Sequence, residues 1–243
     1  MTKNNIAEIF AETAKQHHDS PALSKEINGK LHTITFSQLK TLSDSFACEF
    51  CRNQIKKGQK ILVMVKSGFE FIATVFATMK IGAVPVLIDP GMGIKNLLNC
   101  IKKTAPEAMV GIPPVLWLSL LFPSVFKTIR KRFSTESFSP PGCIRLTLLN
   151  VIPAFEAEGV FKEDLAAIVF TTGSTGPPKG VAYTHEIFMA QLEIIKTEYG
   201  VSPLEKDMPA FPLFALFSAA LGMPCVIPSF NPSLPAKADP AYI

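Results

Sequence analysis

One stretch of the chain, from Thr171 to Gly180, combines residue types that together can hold an anion. Its glycines can adopt backbone angles that other residues avoid, so backbone N–H groups can converge on a phosphate. Hydroxyl groups add further donors, and Lys179 adds a full positive charge on a flexible stem. The glycines are Gly173, Gly176 and Gly180, and the hydroxyl residues are Thr171, Thr172, Ser174 and Thr175. The pattern predicts a phosphate-binding loop.

Two common phosphate-binding patterns do not fit this stretch. In the P-loop pattern G-x-x-x-x-G-K-[ST] a helix starts at the lysine, whereas here Pro178 precedes Lys179 and Gly180 follows it. The dinucleotide pattern G-x-G-x-x-G is not matched either. An ordinary P-loop ATPase is therefore disfavoured. A plain surface loop is also disfavoured, because apolar runs enter and leave the stretch.

The elements that must position this loop follow a strand–helix–strand rhythm. Two apolar runs, Lys60–Val65 and Val84–Ile88, flank a segment with apolar residues at helical spacing. A helix between two continuous apolar strands predicts parallel strands in a sheet covered on both faces. A strand at Ala166 enters the loop and Val181–Tyr183 leaves it. The predicted fold class is α/β, with mostly parallel sheets and flanking helices.

Local signals add detail near the amino terminus. Asn28-Gly29 predicts a two-residue hairpin turn, and Thr35 with Gln38 predicts a capping box at the start of a helix. Cys48 and Cys51 fall inside that helix without a second cysteine pair or a nearby histidine. A metal-binding or redox role for them is disfavoured.

The stretch Thr171–Gly180 resembles, almost position for position, the signature loop of the AMP-forming, adenylate-forming enzymes. These include acyl-CoA synthetases, luciferases and peptide-synthetase adenylation domains. The resemblance implies the fold of their large N-terminal domain, the cofactors ATP and Mg²⁺, and activation of a carboxylic acid as an acyl-adenylate. The cofactor-binding residues it implies are Thr171, Thr172, Gly173, Ser174, Thr175, Gly176 and Lys179.

A second segment, Asp89–Gly93 followed by Lys95–Leu98, narrows the resemblance. It is most similar to the branch that makes β-lactones during long-chain olefin synthesis. This implies a fatty or β-hydroxy fatty acid as substrate, which passes to CoA or closes on its own hydroxyl group. Partner enzymes of the same pathway are implied as well.

The segment Pro212–Phe217 corresponds to the part of the family that lines the acyl pocket. The pocket residues implied are Phe211, Phe214 and Ala215. Ala215 stands where many relatives have a histidine, which leaves the pocket more apolar and suits a fatty chain. The alternative, that these phenylalanines are simply core, stays open.

The resemblance covers nearly all of this chain but only about the first half of a family member. Residues 1–160 are expected to form a first subdomain, and residues 161–243 the signature loop and the start of the acyl pocket. No later family motif is found after Gly200, so no catalytic residue and no metal ligand is assigned. Two hypotheses follow: the N-terminal part of an AMP-forming ligase, inactive alone, or a non-catalytic module that binds nucleotide weakly or docks to partners.

Composition limits the class of protein. With 243 residues and 48% apolar residues, the chain can build a sizeable core, and its net charge of +4 argues against nucleic acid as a partner. Met1–Asn5 is polar and no long apolar run follows soon, so no secretory signal is expected. Five cysteines, an odd number, favour reduced thiols and a cytoplasmic location.

Two stretches without charge, Ala108–Phe126 and Pro209–Asn231, raise the question of a membrane. Each contains several prolines, which predicts buried strands and loops rather than a spanning helix. A peripheral membrane contact by Trp117–Phe122 stays open. The cluster of Lys127, Arg130, Lys131 and Arg132 is interpreted as a solvated helix end, and contact with an anionic surface stays open as the alternative.

Overall fold

A computed structural model describes residues 4–149, 155–171 and 178–230 of the chain. This part of the chain forms two β-sheets with α-helices packed around them. The helices are α1 (Ile6–Gln16), α2 (Phe36–Arg52), α3 (Phe69–Lys80), α4 (Ile94–Thr104), α5 (Pro113–Leu121), α6 (His185–Glu198) and α7 (Ala215–Leu221). The strands are β1 (Pro21–Ile27), β2 (Lys30–Thr35), β3 (Lys60–Met64), β4 (Val84–Ile88), β5 (Ala108–Gly111), β6 (Lys131–Ser134), β7 (Ile144–Arg145), β8 (Leu165–Thr171), β9 (Lys179–Thr184) and β10 (Cys225–Ile227).

The central sheet has seven strands in the order β7-β6-β5-β3-β4-β8-β9. Neighbouring strands pair parallel except β8 and β9, which pair antiparallel. Along β3 the side chains alternate between the two faces. Ile61 and Val63 belong to one core cluster, and Leu62 and Met64 to the other. The predicted α/β class with a mostly parallel, doubly covered sheet is confirmed.

The helices divide between the two faces of this sheet. Ile72 and Phe76 of α3 pack into the first cluster, together with side chains of α1, α2 and α7. Leu97 and Ile101 of α4 and Leu116 of α5 pack into the second. The chain therefore leaves β3 toward one face and leaves β4 and β5 toward the other. Such a switch point at the carboxyl ends of parallel strands is where α/β sheets commonly bind ligands.

The smaller sheet has the order β10-β1-β2. The turn between β1 and β2 has positive φ angles at Asn28 (53°) and Gly29 (75°), which confirms the predicted hairpin. The capping box of Thr35 and Gln38 at the start of α2 is also present. Both sheets combine strands from the two sides of residue 160, and the proposed division of the chain at that position stays a prediction.

The prediction of strands and loops for the two uncharged stretches was wrong in part. Pro113 and Pro114 occupy the first turn of α5, where a missing backbone N–H costs no hydrogen bond, so these prolines start a helix instead of breaking one. In the second stretch α7 precedes the short strand β10. Across the described ranges, every helix is too short or too polar to cross a membrane.

The basic cluster is not a helix end. Lys131 and Arg132 begin strand β6, and Nε of Arg132 donates a hydrogen bond to Oγ of Ser119 in α5 at 2.9 Å. The strand is thereby fixed beside the helix.

Candidate functional site

Strands β8 and β9 carry the two ends of the predicted phosphate-binding loop. They pair with Thr171 opposite Lys179 and Phe170 opposite Gly180. Residues 172–177 lie outside the described part of the chain, as does the side chain of Thr171. The roles of Thr171 and of the loop residues therefore stay predictions; these loop residues are Thr172, Gly173, Ser174, Thr175 and Gly176.

Lys179 lies at the first position of β9 and is exposed. Its backbone is fixed by the pairing with β8, while its long side chain is free to extend from the surface. An exposed ammonium group at the end of such a loop suits a phosphate, which a lysine binds as a point charge. The described geometry thus fits a nucleotide phosphate at this end of the sheet.

Glycine is needed at position 180 for a reason other than the backbone freedom that its place in the loop suggests. Its φ angle is not in the left-handed region, so the position does not need glycine for its backbone conformation. Instead, a Cβ atom at this position would lie 2.9 Å from Cζ of Phe170, closer than carbon atoms pack. Phe170 is itself buried in the second core cluster. Glycine is therefore required here by close packing of an aromatic ring.

A cavity of about 590 Å³ opens at the carboxyl ends of the parallel strands. Its volume falls within the range of about 300–1,000 Å³ typical of small-molecule sites. The lining is mostly apolar, and strands β3, β4 and β8 all contribute to it; examples are Met64, Ile88, Val169 and Phe170. The cavity therefore begins directly beside the strand that enters the phosphate-binding loop.

Five residues with polar side chains belong to the lining of this cavity: Lys25, Lys66, Ser67, Asp89 and Ser229. Lys25 of β1 donates a hydrogen bond from Nζ to the backbone carbonyl of Ser67. Burial lowers the pKa of Lys25, Glu70 opposes that shift, and the nearby charge of Lys66 adds to it. The hydroxyl oxygen of Ser67 is buried and has no hydrogen-bond partner among the described residues. The cavity thus offers the ammonium group of Lys25 and the unsatisfied hydroxyl group of Ser67 to a polar end of a ligand, and its lining also includes Lys66 and Asp89.

The three predicted acyl-pocket residues are placed differently from one another. Phe211 lines the cavity. Phe214 packs edge-on against Phe211, with ring centroids 5.5 Å apart. It is not part of the cavity lining, and its side chain is 53% exposed. Ala215 is fully buried at the start of α7. The assignment of these residues to an acyl pocket stays a prediction.

Lys25 and Ser67 were not predicted from the sequence as site residues. The two residues are 42 positions apart, and neither lies in a recognisable motif. No local signal could have found them, because their meeting depends on how the small sheet packs over the central one. The partner strand β10 holds β1 in place through the pairing of Lys25 with Ile227.

Within the described ranges, no group of three histidine, cysteine or acidic side chains is arranged to hold a metal ion. All five cysteines are free thiols, and burial raises the pKa of both Cys48 and Cys51. A raised thiol pKa is the opposite of what a reactive cysteine needs.

Known proteins with similar sequences are longer than this chain. An olefin beta-lactone synthetase of Stenotrophomonas maltophilia is 38% identical over 252 residues, an alignment that covers 98% of this chain and 45% of the relative. An olefin beta-lactone synthetase of Xanthomonas campestris is 34% identical, with 97% and 44% covered. The chain thus spans a little under half the length of these relatives.

Solved structures share the fold at low sequence identity. Acetoacetyl-CoA synthetase from Streptomyces lividans superposes with a TM-score of 0.80 at 16% identity, covering 91% of this chain and 38% of that one. A long-chain-fatty-acid-CoA ligase from Archaeoglobus fulgidus gives 0.75 at 21% identity, with 91% and 46% covered. In sequence, residues 10–237 match the family model described as AMP-binding enzyme. The chain belongs to the AMP-binding enzyme family.

Proposed function

We propose that this chain is the phosphate- and acyl-binding part of an enzyme that activates a long-chain carboxylic acid as an acyl-adenylate. One observation carries the proposal. The pairing of Thr171 with Lys179 sets both ends of the signature loop at the carboxyl end of the sheet, next to an apolar cavity. A nucleotide phosphate and an aliphatic chain are the two ligands that such a site has to bring together.

In the proposed reaction an oxygen of the acid's carboxylate attacks the α-phosphorus of ATP. A bond forms between that oxygen and phosphorus, the bond to the β-phosphate oxygen breaks, and pyrophosphate leaves with the electron pair. The protein must hold two anions close together and screen the charge on the phosphates. A bound magnesium ion would supply further positive charge for that screening. Lys179 and the loop from Thr171 to Gly176 would hold the β- and γ-phosphates.

The cavity at the strand ends is the proposed place of the acyl chain. Its apolar lining, which includes Phe211, suits a fatty chain, and Lys25 offers a cation to the carboxylate. The two β-lactone synthetases among the relatives support a β-hydroxy fatty acid that closes on its own hydroxyl group. Transfer to CoA is the alternative. Partner enzymes of the same pathway belong to the proposal, and the five free cysteines support a cytoplasmic location.

A second candidate function is a non-catalytic module that binds nucleotide or docks to partners. The argument for it is the limited binding energy of one phosphate loop. One charged hydrogen bond contributes about 1.5–3 kcal/mol to the free energy of binding. A single loop can therefore bind a nucleotide weakly but cannot supply the barrier reduction of about 8 kcal/mol or more that enzymes typically achieve.

Two assays on the 243-residue chain separate these functions. Binding of MgATP is measured by calorimetry, and acid-dependent exchange of pyrophosphate into ATP is measured with a panel of fatty and β-hydroxy fatty acids. Exchange that depends on the acid supports the enzyme. Binding without exchange, while a longer version does exchange, supports the partial module. A chain that binds no nucleotide, in the presence or absence of acid, would rule out the proposed phosphate site.

A further inference from the structure

The end of helix α5 presents apolar side chains to the outside of the molecule. This apolar tip consists of Trp117, Leu120, Leu121 and Phe122, whose exposed fractions are 43%, 44%, 73% and 38%. The one hydroxyl group of the helix, on Ser119, points the other way. It is fully buried, donates to the carbonyl of Leu116 at 2.7 Å and accepts from Arg132. The helix therefore buries its hydroxyl group together with Leu116, while Trp117, Leu120 and Leu121 are exposed to water without a charged side chain in the helix.

Exposed basic residues lie at the same edge of the central sheet as this tip. This basic rim consists of Lys102, Lys103, Lys127 and Arg130, all of them exposed. Two hydrogen bonds hold its two halves together, from Oγ1 of Thr128 to the carbonyl of Pro106 at 2.7 Å and from the backbone N–H of Arg130 to the carbonyl of Glu107 at 2.8 Å.

The tip and the rim lie at the same edge of the central sheet. Helices α4 and α5 start after the carboxyl ends of β4 and β5 and run back, so their last turns reach the amino ends of the strands. Lys102 and Lys103 are in the last turn of α4, while Lys127 and Arg130 come just before β6. This edge is opposite the one where the cavity opens.

The charge of the whole chain is concentrated in this region. Residues 90–148 contain eight of the chain's 24 lysines and arginines but only two of its 20 acidic residues. The segment thus carries a net charge of +6 within a chain whose net charge is +4. Both acidic groups have partners, because Glu107 accepts from the backbone N–H of Lys60 and Glu136 pairs with Lys66.

We propose that the apolar tip and the basic rim together bind an anionic lipid surface. Tryptophan and leucine side chains at the end of an amphipathic element enter the boundary between headgroups and acyl chains, and surrounding lysines and arginines attract acidic headgroups. A second protein chain that covered the tip would also have to complement the positive charge of the basic rim. The charge distribution therefore selects a negatively charged membrane as the occupant.

The sole tryptophan of the chain, Trp117, lies in the tip and reports directly on binding. The 243-residue chain is mixed with vesicles of phosphatidylcholine alone or of phosphatidylcholine with phosphatidylglycerol. We expect the emission of Trp117 to move to shorter wavelength, and brominated acyl chains to quench it, only with the anionic vesicles. Added salt should weaken this binding, because screening acts on the charge of the rim.

Matched variants separate the contribution of the apolar tip to vesicle affinity from that of the basic rim. Leu121→Glu should reduce vesicle affinity on the order of tenfold or more, because insertion of a leucine side chain is replaced by a charge. Leu204→Glu is the control, since Leu204 is 95% exposed and lies outside the region. Lys127→Glu together with Arg130→Glu should also reduce affinity on the order of tenfold or more, given about fivefold for each basic residue near an anionic surface. Lys206→Glu, another exposed lysine, serves as the control for charge.

Three outcomes would overturn the proposal. One is an emission spectrum that no vesicle changes. A second is equal binding of the Leu121→Glu and Leu204→Glu variants, or equal binding to neutral and anionic vesicles. The third is an emission shift that depends on protein concentration in the absence of lipid, which would assign the tip to a second copy of the chain. Co-sedimentation with the vesicles measures the same affinities without relying on fluorescence.

Discussion

The ring of Phe170 fills the space where a side chain at Gly180 would begin, with Cζ only 2.9 Å from the position of a Cβ atom. The two residues lie on opposite strands of the hairpin that carries the phosphate-binding loop. The core ring thus leaves no room for a side chain on the opposite strand at the point where the loop ends.

Replacement of Gly180 by alanine should therefore destabilise the protein and loosen the loop. Because Phe170 is buried, it cannot move away without a cost, and we expect a loss of about 1–3 kcal/mol in the free energy of unfolding. Urea denaturation measures this loss. Gly159→Ala is the control, since no atom lies within 4 Å of a Cβ there. If Phe170→Leu does not restore part of the stability of Gly180→Ala, the explanation by close packing is wrong.

Lys179→Ala should weaken binding of MgATP and of pyrophosphate without lowering stability. The exposed ammonium group makes no contribution to the core, while a charged hydrogen bond of about 1.5–3 kcal/mol corresponds to a loss of affinity of roughly 10- to 150-fold. Calorimetry with both ligands measures the change. Lys196→Ala, an exposed lysine on α6, should bind as the unaltered chain does. Unchanged affinity in Lys179→Ala would remove this lysine from the phosphate site.

Lys25→Met should discriminate between ligands that differ only in their polar end. The change keeps the apolar stem in the cavity and removes the cation, so we expect a fatty acid to bind about tenfold more weakly and the corresponding fatty alcohol to bind as before. Displacement of a fluorescent fatty acid measures both affinities. Lys30→Met, an exposed position on β2, is the matched control. Equal losses for the acid and the alcohol would show that Lys25 does not face the carboxylate.

The ion pair between Lys80 and Asp44 is buried, with side chains 1% and 5% exposed. Burial lowers the pKa of Lys80, and the charge of Asp44 opposes that shift. Asp44→Ala leaves the ammonium group unpaired and should cost about 3–5 kcal/mol in the free energy of unfolding. Lys40→Ala, which removes the more exposed partner of the same carboxylate, should cost about 1 kcal/mol or less. Similar losses in the two variants would contradict this account.

His185 should make stability depend on pH in mildly acid solution. Burial lowers its pKa from 6.5 to about 4, and Nδ1 has no hydrogen-bond partner among the described residues. The unfolded chain therefore takes up the proton first, and the free energy of unfolding should fall by about 3 kcal/mol as the pH decreases from 6.5 to 4.

The matched variant His185→Gln should lack this contribution, so the difference between the two unfolding curves measures it. The neighbouring carboxyl group of Asp164, whose pKa is held below the usual 3.8 mainly by the backbone N–H of Phe161, is present in both proteins, and the comparison is made between them for that reason. Parallel pH profiles for the two proteins would show that His185 is not protonated on unfolding.

Several elements of the fold could be predicted because their signals are local. The hairpin at Asn28-Gly29 and the capping box at Thr35 each depend on four neighbouring residues or fewer. The continuous apolar runs of β3 and β4 predicted a doubly covered parallel sheet, since such strands are buried on both faces. Prolines misled the prediction for α5, because the same residue breaks a helix in its interior and starts one in its first turn.

For the candidate site, too, some features could be predicted from the sequence and others could not. Residue types and their order between Thr171 and Gly180 were enough to identify the family, which the match over residues 10–237 confirms. Which residues face the cavity was beyond the reach of the sequence. Phe211 lines it and Ala215 does not, although the resemblance implied both as pocket residues.

By itself the sequence determined the short-range features of this protein: its turns, its helix caps, its strand periodicity and its signature loop. Only the tertiary structure decided that Lys25 meets Ser67, that Phe170 requires a glycine at position 180, and that α5 exposes Leu120 and Leu121 while it buries Leu116. The physical reason is the range of the interactions. Hydrogen bonds of turns and caps join residues a few positions apart, whereas the placement of a side chain in a cavity or at a surface depends on how all the elements pack.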